Sequence, residues 1–240
     1  MKKKCILIGY GNWGKVLFKN LKYFFSDVKI LRRNSKLDKK IMKNYKWVFI
    51  SSPNKTHYRY AKFFLKNKIN VFCEKPLTDK LSQAKKLVFL SKKLNTNLFI
   101  SEIETFKKKR IIIKKENFII RKKFSVCSIE EIPKNLAYHD FYLLYPYLKN
   151  LNFSIKEIKI KNRTLSFKIN TKNKEFNFFY DLQSRKKIHL INNINFNTRK
   201  NYIVKMLKYM QNKKCDFETN HNKALFALKI CNLLERKLKK

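Results

Sequence analysis

The chain has 240 residues, 44% of them hydrophobic, and 58 Lys and Arg against 16 Asp and Glu give a formal net charge of +42; that is enough apolar material for a real core, in one large domain or two modest ones. The lysines run along the whole chain and gather in no stripe, which argues against a dedicated nucleic-acid role and leaves only salt-sensitive attraction to polyanions. Its five cysteines are widely spaced and lack a CxxC pair, so neither a disulfide framework nor a metal site is expected.

No segment approaches the roughly 18 uninterrupted apolar residues of a membrane helix. The opening MKKKCILIGY runs into a Gly-rich turn without the small-residue cleavage site of a signal peptide. The expectation is a soluble protein of a reducing cytoplasm, with no membrane partner.

Residues 4 to 9, KCILIG, are an apolar run without polar alternation, as in a parallel strand buried on both faces. A helix pattern follows, with Val16, Leu17, Leu21, Phe24 and Phe25 at helical spacing, and DVKILR then reads as a second strand. The turn between them holds Gly9, Gly11 and Gly14, all the glycines of the chain. At a strand-to-helix turn the GxGxxG pattern gives a tight turn, close approach of backbone to a pyrophosphate, and close packing of helix on strand. The helix N-terminus adds unpaired N–H groups and a positive dipole. A chain with glycine only here is expected to keep all three where a side chain would collide with a dinucleotide.

About 20 residues beyond such a motif, the fold places an acidic residue on the ribose or a basic one near a 2′-phosphate. Here the second strand ends in Leu31, Arg32, Arg33 and Asn34. This predicts NADP in preference to NAD, with Arg32 or Arg33 forked onto the extra phosphate. The alternation continues through WVFISS, a helix over NKTHYRYAKFFLKNK, the strand NVFC, a helix over DKLSQAKKLVFLSKKL and the strand NLFIS. In the last helix Leu81, Ala84, Leu87, Val88 and Leu94 face inward. Strands alternating with helices in this way predict a right-handed, doubly wound parallel sheet.

Two further stretches fall at strand ends, where such sheets bind ligands: SSPNKTH at 51–57 and CEKPLTD at 73–79. Together with the glycine turn they resemble the Gfo/Idh/MocA family of NAD(P)-dependent oxidoreductases, which carries Pro-Asn-x-x-His after one strand and Glu-Lys-Pro after the next. NLAYHDFYLLYPYL at 135–148 resembles the family's Asp-x-x-x-His helix, and the last 40 residues resemble its C-terminal helices, with Ala224, Leu228, Cys231, Leu234 and Leu238 as a core-facing stripe.

The resemblance implies that Gly9, Gly11 and Gly14 cradle the pyrophosphate, with Asn12 and Trp13 also at the cofactor. It places Ser52, Pro53, Asn54, His57, Glu74, Lys75 and Pro76 around the cofactor, with Pro53, Asn54 and His57 on the nicotinamide side. Lys75 would hydrogen-bond the reacting hydroxyl or join its proton relay, directed by a cis peptide before Pro76. His139 would be the general acid or base, with Asn135 and Asp140 toward the substrate. The family's Asp is Asn135 here, which can hydrogen-bond but cannot take a proton. Asp140 is expected at the surface or orienting substrate. His189 and His221 match no motif, and Arg110, Arg121 and Arg163 are expected at the surface.

From residue 117 to 198 the text alternates apolar with polar residues in ENFIIRKKFSV, FSIKEIKIKN, TLSFKIN, EFNFFYDLQ and KKIHLINNINF, the period of antiparallel strands with one face on a core. The fold class expected is α/β: a dinucleotide-binding Rossmann domain over 1–105, then a smaller α+β domain over 106–240 with a mostly antiparallel sheet. Its C-terminal helices would pack back on the first domain, and the open sheet face would serve a homo-oligomer. The chain is shorter than typical relatives, so this sheet is expected to be trimmed. The function implied is hydride transfer between nicotinamide and a secondary alcohol or ketone of a sugar, cyclitol or nucleotide-sugar. The alternative is a cofactor-binding member without turnover, serving regulation or assembly; Glu74, Lys75 and Pro76 argue against a methyltransferase.

Overall fold

The computed structural model describes residues 3–32, 35, 37, 44–107, 109–197 and 201–239. They divide into two compact units: residues 1–103 with 201–225, and residues 104–200 with 226–240.

In the first unit, strands β1 (Lys4–Ile8), β2 (Asp27–Leu31), β3 (Tyr45–Ile50), β4 (Asn70–Cys73) and β5 (Leu98–Ile100) alternate with helices α1 (Asn12–Leu21), α2 (Asn54–Lys66) and α3 (Leu81–Lys93). All strand pairs are parallel and the sheet order is β2-β1-β3-β4-β5, a doubly wound order with the chain reversing beside β1. The apolar runs are sandwiched as their composition requires: Cys5 to Ile8, Trp47 to Ile50 and Val71 to Cys73 are all buried. Phe49, Phe72 and Phe99 lie in register on neighbouring strands, with ring centroids 5.1 and 5.8 Å apart. Helix α1 presents Leu17 and Leu21 to the sheet, but Val16, expected inward, is 38% exposed.

The free edge of β5 is closed by a side chain. Ile100 N–H donates to Asn220 Oδ1 at 2.8 Å, and Asn220 Nδ2 donates to the Ile100 carbonyl at 2.9 Å. Asn220 lies near the start of helix α6 (Phe217–Leu238), which follows α5 (Ile203–Gln211). The boundary between the units falls within α6.

The second unit holds β6 (Glu116–Lys122), helix α4 (Tyr138–Leu148), β7 (Ser154–Lys161), β8 (Thr164–Asn170), β9 (Glu175–Asp181), β10 (Ile188–Ile191) and β11 (Ile194–Asn195). The sheet order is β11-β10-β6-β9-β8-β7, antiparallel except for the parallel pair β6–β9. Alternation in β8 and β9 sends Leu165, Phe167, Ile169, Phe176, Phe178 and Tyr180 to the buried face, where Phe141 of α4 meets Phe167 and Phe178. Two expected strands are shorter than their patterns. ENFIIRKKFSV pairs only to Lys122, leaving Val126 91% exposed, and KKIHLINNINF is split by a turn at Asn192, whose φ is +53°.

Candidate cofactor and substrate sites

Each glycine of the turn answers a different constraint. Gly9 has φ +89°, and a Cβ there would stand 2.6 Å from the Ser52 nitrogen. A Cβ at Gly14 would fall on the Gly9 carbonyl oxygen. Both positions are therefore demanded by the protein's own backbone, which corrects the expectation that a dinucleotide keeps all three. Gly11 alone faces open space, with no atom within 4 Å of a Cβ. It is the N-cap residue of α1, and no side chain satisfies the first-turn N–H groups there.

In front of Gly11 lies a cleft of about 1030 Å³, lined by Gly9 to Gly11, Lys15, Leu31, Arg32, Ser51 to Pro53, Lys55, Thr56 and Tyr60. Among the described residues its charged lining residues are Lys15, Arg32 and Lys55, all basic. Arg32 is exposed, with its backbone N–H bonded to Ser35 Oγ at 3.0 Å. Arg33 lies outside the described residues. Asn12 and Trp13 open α1 and are exposed. Ser51 Oγ donates to the Gly9 carbonyl at 2.9 Å, and the Ser52 and Thr56 hydroxyls are 2.6 Å apart, so the glycine turn and the Pro-Asn-x-x-His segment are bonded into one wall.

His57 is turned into the protein. It is wholly buried, with Nδ1 2.9 Å from the Pro76 carbonyl oxygen and Nε2 2.7 Å from that of Ser52. Both partners only accept, so a neutral ring donates to one and an imidazolium to both. Burial pushes its pKa down, against the two carbonyls and Asp79. His57 thus ties the Pro-Asn-x-x-His segment to the Glu-Lys-Pro turn, with both ring nitrogens taken up by backbone carbonyls. Pro53 is exposed and Asn54 begins α2.

Glu74 and Lys75 follow β4, and the Lys75–Pro76 peptide is cis. Burial raises the Glu74 carboxyl above the usual range, opposed by the Trp13 indole N–H and the Ser101 hydroxyl as hydrogen-bonding neighbours. The anchored turn continues into Leu77 and Thr78, both buried, and leaves Lys75 half-buried.

In the second unit, Asn135 lies in a π-helical turn, Pro133–Ala137, that runs directly into α4. Such turns recur at functional sites. Asn135 and His139 are half-buried. Asp140 is fully buried, which overturns the surface reading. Its Oδ1 accepts from Arg121 Nη2 at 3.0 Å and His189 Nε2 at 2.7 Å, and its Oδ2 from Arg121 Nε at 3.2 Å and the Tyr180 hydroxyl at 3.0 Å. Burial works against the charged form of Asp140, but Arg121 and His189 outweigh it and hold the carboxyl well below the usual range.

Arg121 is likewise buried, not at the surface as expected, and His189, given no role by the sequence, completes the group. The missed signal is strand phase: Asn117, Ile119 and Arg121 share the inner face of β6, as His189 and Ile191 share that of β10. Arg163 is half-buried and donates to the Ser125 and Cys127 carbonyls at 2.5 and 3.0 Å, again off the expected free surface.

Residues 24–101 match the family model described as "Oxidoreductase family, NAD-binding Rossmann fold", GFO_IDH_MocA. Over these residues the chain is similar to the Gfo/Idh/MocA family. The match begins after the glycine turn and includes both Pro-Asn-x-x-His and Glu-Lys-Pro. A 52-residue stretch is 38% identical to the uncharacterized oxidoreductase YgjR of Escherichia coli K12, spanning 22% of this chain and 16% of the relative.

Solved structures of similar fold include a putative myo-inositol dehydrogenase from Sinorhizobium meliloti (TM-score 0.79, 12% identity, 99% of this chain and 98% of that one). UDP-N-acetylglucosamine 3-dehydrogenase GnnA from Acidithiobacillus ferrooxidans has TM-score 0.77 at 12% identity over 98% and 99% of the two chains. The WlbA dehydrogenase of Thermus thermophilus, solved with NAD and UDP-GlcNAcA, has TM-score 0.75 at 12% identity over 97% and 94%. These likenesses concern the fold alone.

Proposed function

We propose that the protein is an NAD(P)-dependent oxidoreductase that moves a hydride between nicotinamide and a secondary alcohol or ketone of a sugar, cyclitol or nucleotide-sugar. The observation that carries this reading is Gly11: an uncapped helix N-terminus beside a position with no atom within 4 Å of a Cβ, opening on a basic cleft. These residues fit a dinucleotide. Its phosphates would lie against the first-turn N–H groups of α1, with Arg32 near the ribose. A basic residue there, and no acidic one among the described lining residues, favours NADP over NAD.

When bound, the nicotinamide supplies or accepts the hydride. Lys75 is the candidate to hydrogen-bond the reacting oxygen, and His139 the candidate acid–base group, because imidazole titrates nearest neutral pH. Asn135 can orient by hydrogen bonding but cannot relay a proton. The names of the similar structures support a carbohydrate substrate. The outer face of the second sheet, with Phe118 47% exposed beside charged residues, is proposed as a contact between copies.

Asn135 also favours a second reading, a dinucleotide-binding protein without turnover. The two separate in one assay, in which nicotinamide absorbance is followed with inositols and UDP-sugars. Turnover that disappears in Lys75→Ala while cofactor binding persists supports the enzyme; binding without turnover on any of these substrates favours the second reading.

A further inference from the structure

The carboxylate of Asp140 accepts its four hydrogen bonds from residues on three different strands, Arg121 on β6, Tyr180 on β9 and His189 on β10, and these strands lie side by side. A second ion pair, Lys107 with Glu104 at 2.5 Å, adjoins the first, with His189 Nδ1 3.6 Å from Glu104 Oε2. The two pairs balance one another in charge while His189 is neutral. Buried ion pairs contribute little net stability compared with apolar residues of the same volume, because desolvation offsets the Coulombic gain. What this group does fix is geometry. Successive residues of an α-helix point about 100° apart, so tying position 140 to three strands directs position 139.

We propose that Asp140 is a positioning residue for His139: held by Arg121, Tyr180 and His189, it sets the rotation of α4 and thereby the direction of the His139 imidazole. This rests on the acid–base assignment of His139 made above. It also accounts for a carboxylate next to the candidate acid–base group that itself faces away from solvent.

The test needs no substrate. The chain has four histidines, and the other three are buried, so the His139 ring signal can be followed by NMR and assigned by its loss in His139→Gln. Two variants leave every charge in place: Arg121→Lys removes the fork, and Tyr180→Phe removes one donor. In each, the expected result is a His139 signal that shifts or splits, with a displaced titration midpoint, while salt-resistant NADH and NADPH binding is unchanged. Should Arg121→Lys fail to fold, Tyr180→Phe carries the test. An unmoved His139 signal and midpoint in folded variants, even ones that melt earlier, would overturn the proposal and leave Asp140 a packing residue. Absence of dinucleotide binding in the unaltered protein would instead count against the oxidoreductase reading, with the NMR result standing on its own.

Discussion

The three glycines separate by what replaces them. Gly9→Ala puts a side chain at φ +89° against the Ser52 backbone, and Gly14→Ala puts one on the Gly9 carbonyl. Strain and overpacking of this kind cost roughly 1–3 kcal/mol each, so both variants should melt several degrees lower by calorimetry, at about 2–4 °C per kcal/mol in a chain of this size. Gly11→Ala meets open space and should cost under about 1 kcal/mol, as a change at a cap position.

His57→Ala leaves the buried Pro76 carbonyl and the partly buried Ser52 carbonyl without their ring partner. An unsatisfied buried group costs about 1–3 kcal/mol. The melting temperature should therefore fall while cofactor affinity, measured well below it, changes less than about tenfold. A selective loss of affinity with unchanged melting would mean that His57 touches the cofactor after all. The motif containing His57 was legible in the sequence, but the side chain's direction was not. A helix pattern shows which face is buried, not which backbone carbonyls a buried ring will meet.

Among the elements, those with a clean period were legible and those set by partners were not. CILI, WVFI and VFC are buried as continuous apolar runs must be, and their alternation with helices predicted the parallel sheet. The parallel pairing of β6 with β9 could not be read from a period of two, which is the same for either direction. Nor could the Arg121–Asp140–His189 group be found by composition, because polar residues on inner strand faces look like surface residues until the phase is counted. The Asn220 clasp on β5 belongs to the same class, since its partners are about 120 positions away. Asn220→Ala would leave the buried Ile100 N–H and carbonyl unpaired. Hydrogen exchange at the Ile100 amide should then quicken, with a loss of about 1–3 kcal/mol in stability.

For the whole molecule, charge and protonation act together. Burial pushes the pKa of His57, His189 and His221 below the ordinary value. Each group then binds its proton more readily in the unfolded chain, whose histidines titrate near about 6.5. Their stabilising contribution is complete above that pH and declines as pH falls below it. Asp140, with its lowered pKa, contributes stability above the unfolded carboxylate value of about 3.9 that is lost on further acidification. Thermal melting followed from pH 8 downward should fall first near about 6.5 and again toward about 4. Self-repulsion of a +42 chain deepens the loss at low ionic strength, so added salt should raise the melting temperature.

The central claim is that the turn carrying Gly11 receives a dinucleotide. Its most direct test is a fluorescence titration of the unaltered protein and of Gly11→Val with NADPH and NADH, in about 1 M salt, where the Debye length is only about 3 Å and general attraction to the basic surface is screened. Saturable binding by the unaltered protein, tighter for NADPH and lost in a folded Gly11→Val, is the expected result. Equal binding by the two proteins, or none by either, would contradict the site.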